Sequence, residues 1–529
     1  MDQEMTTMTW DLRDRPWIEA LDTTAGAREV SLREALHRAH ELILTGDTAT
    51  MEVAIARLLM AVLVRACAHR RSLAQLWNEP RLPANLVDDY LDRHADGFDL
   101  LHPAAPFMQT PGLAMKADPD IARIMIPQRG VFDSDRRREL PVDEAARWVV
   151  HAHAYDISGI RGASPEDPRA KGGKIYPLGA AWCARGAIHL LHGRTLRDLL
   201  LLNLPVDPAE ADPGDLPAWE RPPAPAGPDR PLPGGPCDLM TWQSRRVRLI
   251  PRRRDDGSLV VTGAYLGYGD PLDDDAAHEI ARRRLDPHVQ QVVSWKNRSK
   301  KHRGGAALTP LRVMLDSPPL WAQTGAILRA EQGEGLPALA NAAASAPADH
   351  NTVRLVRTAL VLDVKSAVVD DIRAESVVLP VAMLRDDDLR HTAAVACDAA
   401  RKAAWLLGRY GEHLSIARGS KGQAADAGHR KRAHERGQQL AEPELVRFLH
   451  HQDTGNVTLE DYAERLRALI LEEAEGMLPR DPASLIQSRP GRNGEHATPL
   501  QVLDRLRWSL RPGSLLADSG AEDGQNTVD

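Results

Sequence analysis

The sequence predicts an α+β protein: a large mixed α/β N-terminal domain followed by a C-terminal four-helix bundle. Up to about residue 380, segments with strand-like alternation of apolar residues are interleaved with helical segments, whereas from Met383 onwards the apolar residues recur every 3.6 positions. The length of 529 residues also corresponds to two or three domains. We therefore assign residues 1–380 to the N-terminal domain, 381–512 to the bundle and the acidic stretch 513–529 to a disordered tail.

The first elements follow from local patterns. Residues 10–30 predict two short strands joined by a turn, and Ser31, with Glu34 three residues later, predicts a capped helix start. Residues 51–70 carry the closely spaced apolar residues of a buried helix. Residues 205–236 are a Pro/Gly-rich insert, too poor in apolar residues to fold alone.

Two further strand regions precede the bundle. Val247 and Leu249 alternate with arginines, which predicts a strand with the arginines on its other face. Residues 351–380 predict two strands around a turn at 363–367.

The bundle is predicted from the last helical segments of the chain. An apolar stripe over 384–410 and shorter helical segments at 442–451, 458–475 and 498–511 supply its four helices. The intervening residues 418–438, rich in Gly, Lys and Arg, predict a mobile linker.

Composition restricts the class of protein. A net charge of −7 places any contact with nucleic acid in local basic patches. The cysteines are isolated, which fits a reducing compartment with neither a disulfide framework nor a cysteine zinc site. Because the N-terminus lacks the features of a signal peptide and no 18 apolar residues run together, we expect a soluble, cytoplasmic protein without a membrane contact.

The segment 151–204 combines glycines with cations. Over residues 159–179, five glycines accompany Arg161, Arg169, Lys171 and Lys174. Such a segment can bring its backbone against a phosphate or a nucleic-acid groove. A long surface loop without such a function is the alternative. A second basic run, 286–303, is on its residues alone typical of a solvated loop without such a function.

No motif in the chain predicts an active site. His151 and His153, near Asp156, are two positions apart on a predicted helix and point to different faces, so a structural role is favoured over a metal site. The phosphate-binding, zinc-peptidase and serine-hydrolase motifs are absent from the sequence. We expect no catalytic residue, no metal and no cofactor.

Several sequence blocks follow one another in collinear order over roughly residues 8–510. In the first half of the chain they are WDLRDRPWIEA, VSLREAL and FDLLHPAAPFMQTPGL. The later blocks are DISGIRGASPEDPRAKGGKIYPLGAAW, GRTLRDLLLLNL and MTWQSRRVRLIP. Together these blocks resemble the large subunit of the type I-E CRISPR Cascade complex, the CasA family, in its actinobacterial-type form. Some relatives carry a cysteine-rich metal knuckle near the last block, and this chain has none.

The resemblance implies which residues contact DNA. The family recognises a protospacer-adjacent motif (PAM) through loops in the minor groove, with one lysine probing the groove and a glutamine in a turn that splits the first base pairs. Lys296 best matches the lysine, with Lys300 and Lys301 as alternatives. No glutamine occupies the turn, so either Lys365 fills its role or the wedge differs. The implied DNA-binding residues are Gly159, Arg161, Gly162, Lys171, Gly172, Gly173, Lys174, Lys296, Lys300, Lys301, Lys365 and Ser366.

The resemblance also implies a function in antiviral defence. It is that of a non-catalytic, DNA- and RNA-binding subunit whose partners are the other Cascade subunits, the crRNA, double-stranded target DNA and a helicase-nuclease recruited after target binding. The bundle would hold the displaced strand. Two alternatives stay open: a metal-dependent nucleic-acid-processing enzyme, and a purely structural assembly subunit.

Overall fold

The structure, a computed structural model, describes residues 8–125, 139–294, 307–328, 351–420, 422–451, 457–490 and 496–517. The described chain divides into two compact units. The first comprises the residues up to Ser317 together with Arg354–Glu375. The second comprises the residues from Pro318 to 328, Asn351–Val353, and those from Ser376 onwards.

The first unit mixes helices and strands. Its α-helices are α1 (Leu32–His37), α2 (Ala49–Cys67), α3 (Leu73–Asn78), α4 (Ala84–Arg93), α5 (Val142–Tyr155), α6 (Leu196–Leu202), α7 (Pro236–Met240) and α8 (Asp274–Arg282). Its strands are β1 (Ile18–Asp22), β2 (Gly26–Val30), β3 (Leu42–Leu44), β4 (Leu140–Pro141), β5 (Arg161–Gly162), β6 (Lys174–Ile175), β7 (Ile188–His192), β8 (Arg245–Arg253), β9 (Leu259–Tyr268), β10 (Gln291–Ser294) and β11 (Ala307–Pro310). Two longer strands, β12 (Thr352–Leu362) and β13 (Val369–Pro380), form a hairpin whose tip lies in this unit.

Several small sheets replace one large sheet. The strand orders are β2–β1–β3, β4–β9–β8 and β13–β12–β7, and the pairs β5–β6 and β10–β11 stand apart. Helix α2, capped by Thr48, is buried along nearly its whole length and packs against α4, α5 and α7. At its centre the Arg57 guanidinium pairs with the buried Asp286 carboxylate at 2.9 Å, so an interior charge is neutralised within the core.

The start of the chain matches the prediction closely. Strands β1 and β2 pair as an antiparallel hairpin, and the Ser31 hydroxyl accepts the backbone N–H of Glu34 at the start of α1. The Glu34 carboxylate, however, pairs with Arg28 and Arg38. The capping half of the prediction is therefore confirmed, and the carboxylate serves an ion-pair network.

The Pro/Gly-rich insert 205–236 packs into the first unit. Trp219 is buried against Phe98 and Phe107, whose ring centroids lie 5.1 and 6.2 Å from its own. Glu220 forms a two-point ion pair with Arg65 of α2. A few large side chains thus anchor a segment that could not form a core alone.

The second unit is mainly helical. Its helices are α9 (Leu320–Leu328), α10 (Val381–Arg385), α11 (Asp387–Ala417), α12 (Gln423–His451), α13 (Leu459–Gly476), α14 (Pro482–Ile486), α15 (Pro499–Ser509) and α16 (Pro512–Leu516), with a short pair β14 (Arg489–Pro490) and β15 (His496–Ala497). Helix α11 is central and packs against α9, α12, α13 and α15. No helix in the described part of the chain is long and apolar enough to cross a lipid bilayer.

The predicted mobile linker at 418–438 is wrong, because most of it is the first half of α12. A Cβ atom at Gly437 would lie 2.8 Å from the Ala404 Cα, and one at Gly411 would lie 2.6 Å from the Ala433 Cβ. These two glycines therefore allow close contact between α11 and α12. We call Gly408, Gly411 and Gly437 the glycine seam.

Candidate nucleic-acid interface

The loop that follows α5 is anchored by buried charge. Asp156, the first residue after α5, is inaccessible to solvent and accepts hydrogen bonds from Arg161 at 2.7 and 2.8 Å. The Arg245 guanidinium of β8 pairs with the same carboxylate. The Arg161 side chain is therefore directed inward. It holds the loop and does not present its charge to solvent, in contrast to the direct DNA contact expected from the sequence.

The outer part of this loop is a tight hairpin. Lys171 and Lys174 exchange backbone hydrogen bonds of 2.8 and 3.2 Å, and β5 pairs with β6 beyond them. Gly172 and Gly173 have φ values of +60° and +78°, the positive values that both central residues of a type I′ turn require. Both lysines are exposed, and no carboxylate of the described residues lies within ion-pair distance of either.

The inner part of the loop is held by β9. The Tyr268 hydroxyl donates to the Gly159 carbonyl at 2.8 Å and accepts its N–H at 3.2 Å. Gly162 lies against Met115, whose sulfur would be 2.9 Å from an added Cβ. Arg169 is engaged by Asp167 and by backbone carbonyls of β9 and its end. The free cations of the loop are therefore concentrated at the hairpin tip.

The second predicted contact region is the turn between β12 and β13. The Asp363 carboxylate accepts the backbone N–H groups of Val368, Ala367 and Lys365, which together lower its pKa below the ordinary value. Ser366 adopts a φ of +55°, which is unusual for a residue with a side chain. Lys365 is exposed at the tip beside Val364, whose exposure reaches 85%.

The structure brings the loop and the turn together. The Ser158 N–H donates to the Ser366 carbonyl at 2.7 Å. The register explains this contact: β7 and β12 are antiparallel with Thr358 opposite Ile188, so β12 ends where the chain enters β7 from the loop. The loop 156–181 and the turn 363–368, about 200 residues apart in sequence, thus form one surface, which we call the loop–turn surface.

Three of the implied DNA-binding lysines, Lys296, Lys300 and Lys301, lie outside the described residues, between β10 and β11. These two strands pair antiparallel, with Ser294 opposite Ala307.

Exposed apolar residues are the part of this surface that sequence reasoning missed. Ile160 and Tyr176 of the loop are 58% and 65% exposed, and Val364 projects from the turn. Lys116, from another loop, approaches Gly173 and adds a third cation near the hairpin. In the sequence, each of these residues is only an apolar residue near a turn. Such a position is equally typical of the buried end of a strand, so the sequence did not predict their exposure.

The histidines of α5 are structural. The His151 Nε2 lies 2.9 Å from the Thr50 hydroxyl, and the His153 Nε2 lies 2.7 Å from the Met108 carbonyl. Burial lowers the pKa of His151 to about 3 and that of His153 to about 4. Among the described residues, no three His, Cys, Asp or Glu side chains form a group that could hold a metal ion.

The arginines at the start of β8 are also internal. Arg245 and Arg246 are both 1% exposed, and Arg246 pairs with Asp270 at 3.1 Å. The prediction that the arginines of this strand would share the face opposite Val247 and Leu249 is wrong for Arg245, which lies buried beside Asp156. Distant carboxylates, which a local pattern does not reveal, neutralise both side chains.

Residues 11–473 match the family model of the CRISPR-associated protein Cse1. This match spans most of the chain. The chain belongs to the Cse1 family. The family resemblance stated from the sequence is therefore confirmed, and the mixed helix-and-sheet architecture agrees with solved Cse1 structures.

Three proteins to which the chain is similar range from 20% to 32% identity. A CRISPR-associated protein CasA/Cse1 of Thermus thermophilus is 32% identical over 313 residues, which is 54% of this chain and 57% of that relative. The crystal structure of Thermobifida fusca Cse1 matches with a TM-score of 0.80 at 29% identity, over 96% of this chain and 98% of that one. A chain of a CRISPR RNA-guided surveillance complex shares the fold, with a TM-score of 0.68 at 20% identity over 95% and 99% of the two chains.

Proposed function

We propose that this chain is the large subunit of a crRNA-guided type I-E Cascade surveillance complex and recognises the PAM in duplex DNA. It also helps to open the duplex and recruits a helicase-nuclease. Membership of the Cse1 family supports the assembly role. The observation that carries the recognition role is the Ser158–Ser366 hydrogen bond, because it joins both implied DNA-contacting segments into one surface.

The loop–turn surface has the chemistry of a groove contact. Lys171 and Lys174 flank the two-glycine turn at the hairpin tip and supply cations for phosphates. Asp156 fixes Arg161, which acts as a positioning residue, and Tyr268 fixes Gly159. A backbone surface held in this way can approach the minor groove without a large rearrangement.

The turn is suited to separating base pairs even without a glutamine. Val364 is the most exposed apolar side chain of the turn, and Lys365 stands beside it. Apolar wedges are what many minor-groove proteins insert between base steps. We therefore assign the wedge to Val364, with Lys365 contacting phosphate.

The second unit and the partners complete the proposal. We interpret α11, α12, α13 and α15 as the four-helix bundle, which holds the displaced strand. The partners are the remaining Cascade subunits, the crRNA, double-stranded target DNA and the helicase-nuclease. Sequence reading is delegated to the crRNA, and the chain itself performs no catalytic step.

The proposal is tested by removing the cations of the hairpin. In the assembled complex, the double variant Lys171→Ala, Lys174→Ala is expected to weaken binding of duplex DNA about tenfold and to reduce the slope of log affinity against log salt by about 2, since each phosphate contact contributes roughly one unit. Electrophoretic mobility shifts at several salt concentrations measure both quantities.

The matched control is Arg253→Ala, an exposed cation on the β8–β9 hairpin whose guanidinium donates to the Gly257 carbonyl at 3.1 Å. It should leave the salt slope unchanged. The outcome that contradicts the proposal is that every loop and turn variant changes the affinity for duplexes with and without the motif by the same factor. This surface would then not recognise the motif, and the purely structural subunit would be favoured.

The enzyme alternative has a separate test. The guide-free chain is incubated with duplex and single-stranded DNA in the presence of Mg²⁺ or Mn²⁺. We expect intact DNA, and metal-dependent cleavage that survives further purification would replace the proposed function by the nucleic-acid-processing one.

A further inference from the structure

Two exposed tryptophans of the second unit each carry an arginine. Trp405 on α11 is 39% exposed and Trp508 on α15 is 62% exposed. The Arg409 guanidinium carbon lies 5.2 Å from the Trp405 ring centroid, and that of Arg511 lies 5.4 Å from the Trp508 ring centroid. The same pair of an accessible aromatic ring and a cation thus occurs twice.

The two pairs lie on helices that pack together. Helix α11 contacts both α15 and α16, and the Lys402 ammonium donates to the Ser514 carbonyl at 2.6 Å. Lys402 lies three residues before Trp405 on α11, and Ser514 lies three residues after Arg511, at the end of the chain segment that carries Trp508. The end of α15 therefore lies beside the turn of α11 that carries Trp405.

The surface around the rings is positive. The cations Lys402, Arg409, Arg505 and Arg511 have no carboxylate of the described residues within ion-pair distance. Their neighbours Arg401 and Arg507 are, by contrast, paired with carboxylates. Single exposed apolar residues are common on protein surfaces, but two aromatic rings among unneutralised cations complement a ligand that has both flat rings and negative charge.

We propose that Trp405 and Trp508, with these four cations, form a stacking platform for single-stranded DNA. Bases stack on the two rings while phosphates lie against the guanidinium and ammonium groups, a mode of binding that tolerates any sequence. This inference rests on the proposed function, because it names the chemistry by which the second unit holds the displaced strand.

The test uses the full chain and a fluorescently labelled oligothymidylate in anisotropy titrations. Trp405→Ala and Trp508→Ala are each expected to weaken binding by about fivefold to 100-fold, the range measured for the loss of one stacked base. Trp508→Tyr should retain most of the affinity, whereas Trp508→Leu, apolar but unable to stack in the same way, should not. Arg505→Ala should reduce the salt slope by about 0.7.

The matched control is Ile486→Ala, which removes another strongly exposed apolar side chain of the same unit and should leave oligothymidylate affinity unchanged. Unchanged affinity in the Trp405→Ala, Trp508→Ala double variant would overturn the platform. Equal affinity of the Leu and Tyr variants would overturn it too, because it would indicate an apolar protein-docking site.

The same variants separate this inference from the proposed function. The tryptophan variants should leave motif discrimination by the assembled complex intact, and the Lys171→Ala, Lys174→Ala variant should leave oligothymidylate binding intact. An assembled complex that binds duplexes with and without the motif equally would contradict the proposed recognition role. If oligothymidylate binding still depended on the tryptophans, the stacking platform would nevertheless be supported.

Discussion

Two segments of similar composition have opposite structures in the two units. Residues 156–181 and 418–438 are both rich in Gly, Lys and Arg. The first is an irregular loop with a two-residue hairpin at its tip, whereas the second is largely helical. Composition alone therefore did not predict that the first segment is an anchored loop or that the second is largely helical.

The difference lies in what each glycine does. Gly172 and Gly173 supply positive φ angles that other residues adopt at a cost. Gly411 and Gly437 have ordinary helical geometry and supply space, since a Cβ at either would overlap the facing helix. The loop thus requires glycine for its backbone conformation, and the glycine seam requires glycine because the facing helix leaves no room for a side chain.

The largest effect is expected from the buried anchor of the loop. Asp156→Ala leaves Arg161 and Arg245 buried without their shared carboxylate, which should cost about 3–5 kcal/mol of unfolding free energy. Chemical denaturation of the full chain, followed by tryptophan fluorescence, measures the loss. Asp156→Asn, which keeps the shape and some hydrogen bonds, should lose less. A loss below about 1 kcal/mol in the alanine variant would show that the loop is held by other contacts.

The glycine seam should be the next most sensitive feature. Gly437→Leu forces α12 away from Ala404 and should cost about 1–3 kcal/mol through overpacking. The control is Gly428→Ala in the same helix, where an added Cβ meets only the end of the flexible Arg432 side chain. That variant should gain up to about 1 kcal/mol, the helix propensity difference between the two residues. Thermal unfolding of both variants measures the two changes in stability. Equal changes would show that Gly437 is not required for close packing between the helices.

The smallest effect is expected at the hairpin tip. Gly172→Ala places a Cβ in the left-handed region and should cost about 1–2 kcal/mol, although nothing crowds the position. Gly172→Asn should cost less, because asparagine tolerates this conformation in type I′ turns. Unfolding measurements on the two variants compare them directly. A harmless alanine variant would mean that the turn changes type easily.

Local patterns predicted much of the fold and little of the site. The strand pair at 18–30, the Ser31 cap, helix α2 and the hairpin β12–β13 were all visible, because each depends on residues close in sequence. The inward direction of Arg161 was not visible, since Asp156 and Arg245 determine it together. The exposure of Val364 likewise depends on how the whole turn is placed.

The sequence alone determined the family, the alternation of helices and strands, and the presence of glycine and lysine at the hairpin tip, because these follow from residue order and local conformational preference. Only the tertiary structure decided which cations are free. Arg161, Arg245 and Arg246 are neutralised inside, whereas Lys171 and Lys174 are not. The physical reason is that a charge is available to a ligand only where no carboxylate, brought from elsewhere in the chain, already compensates for it.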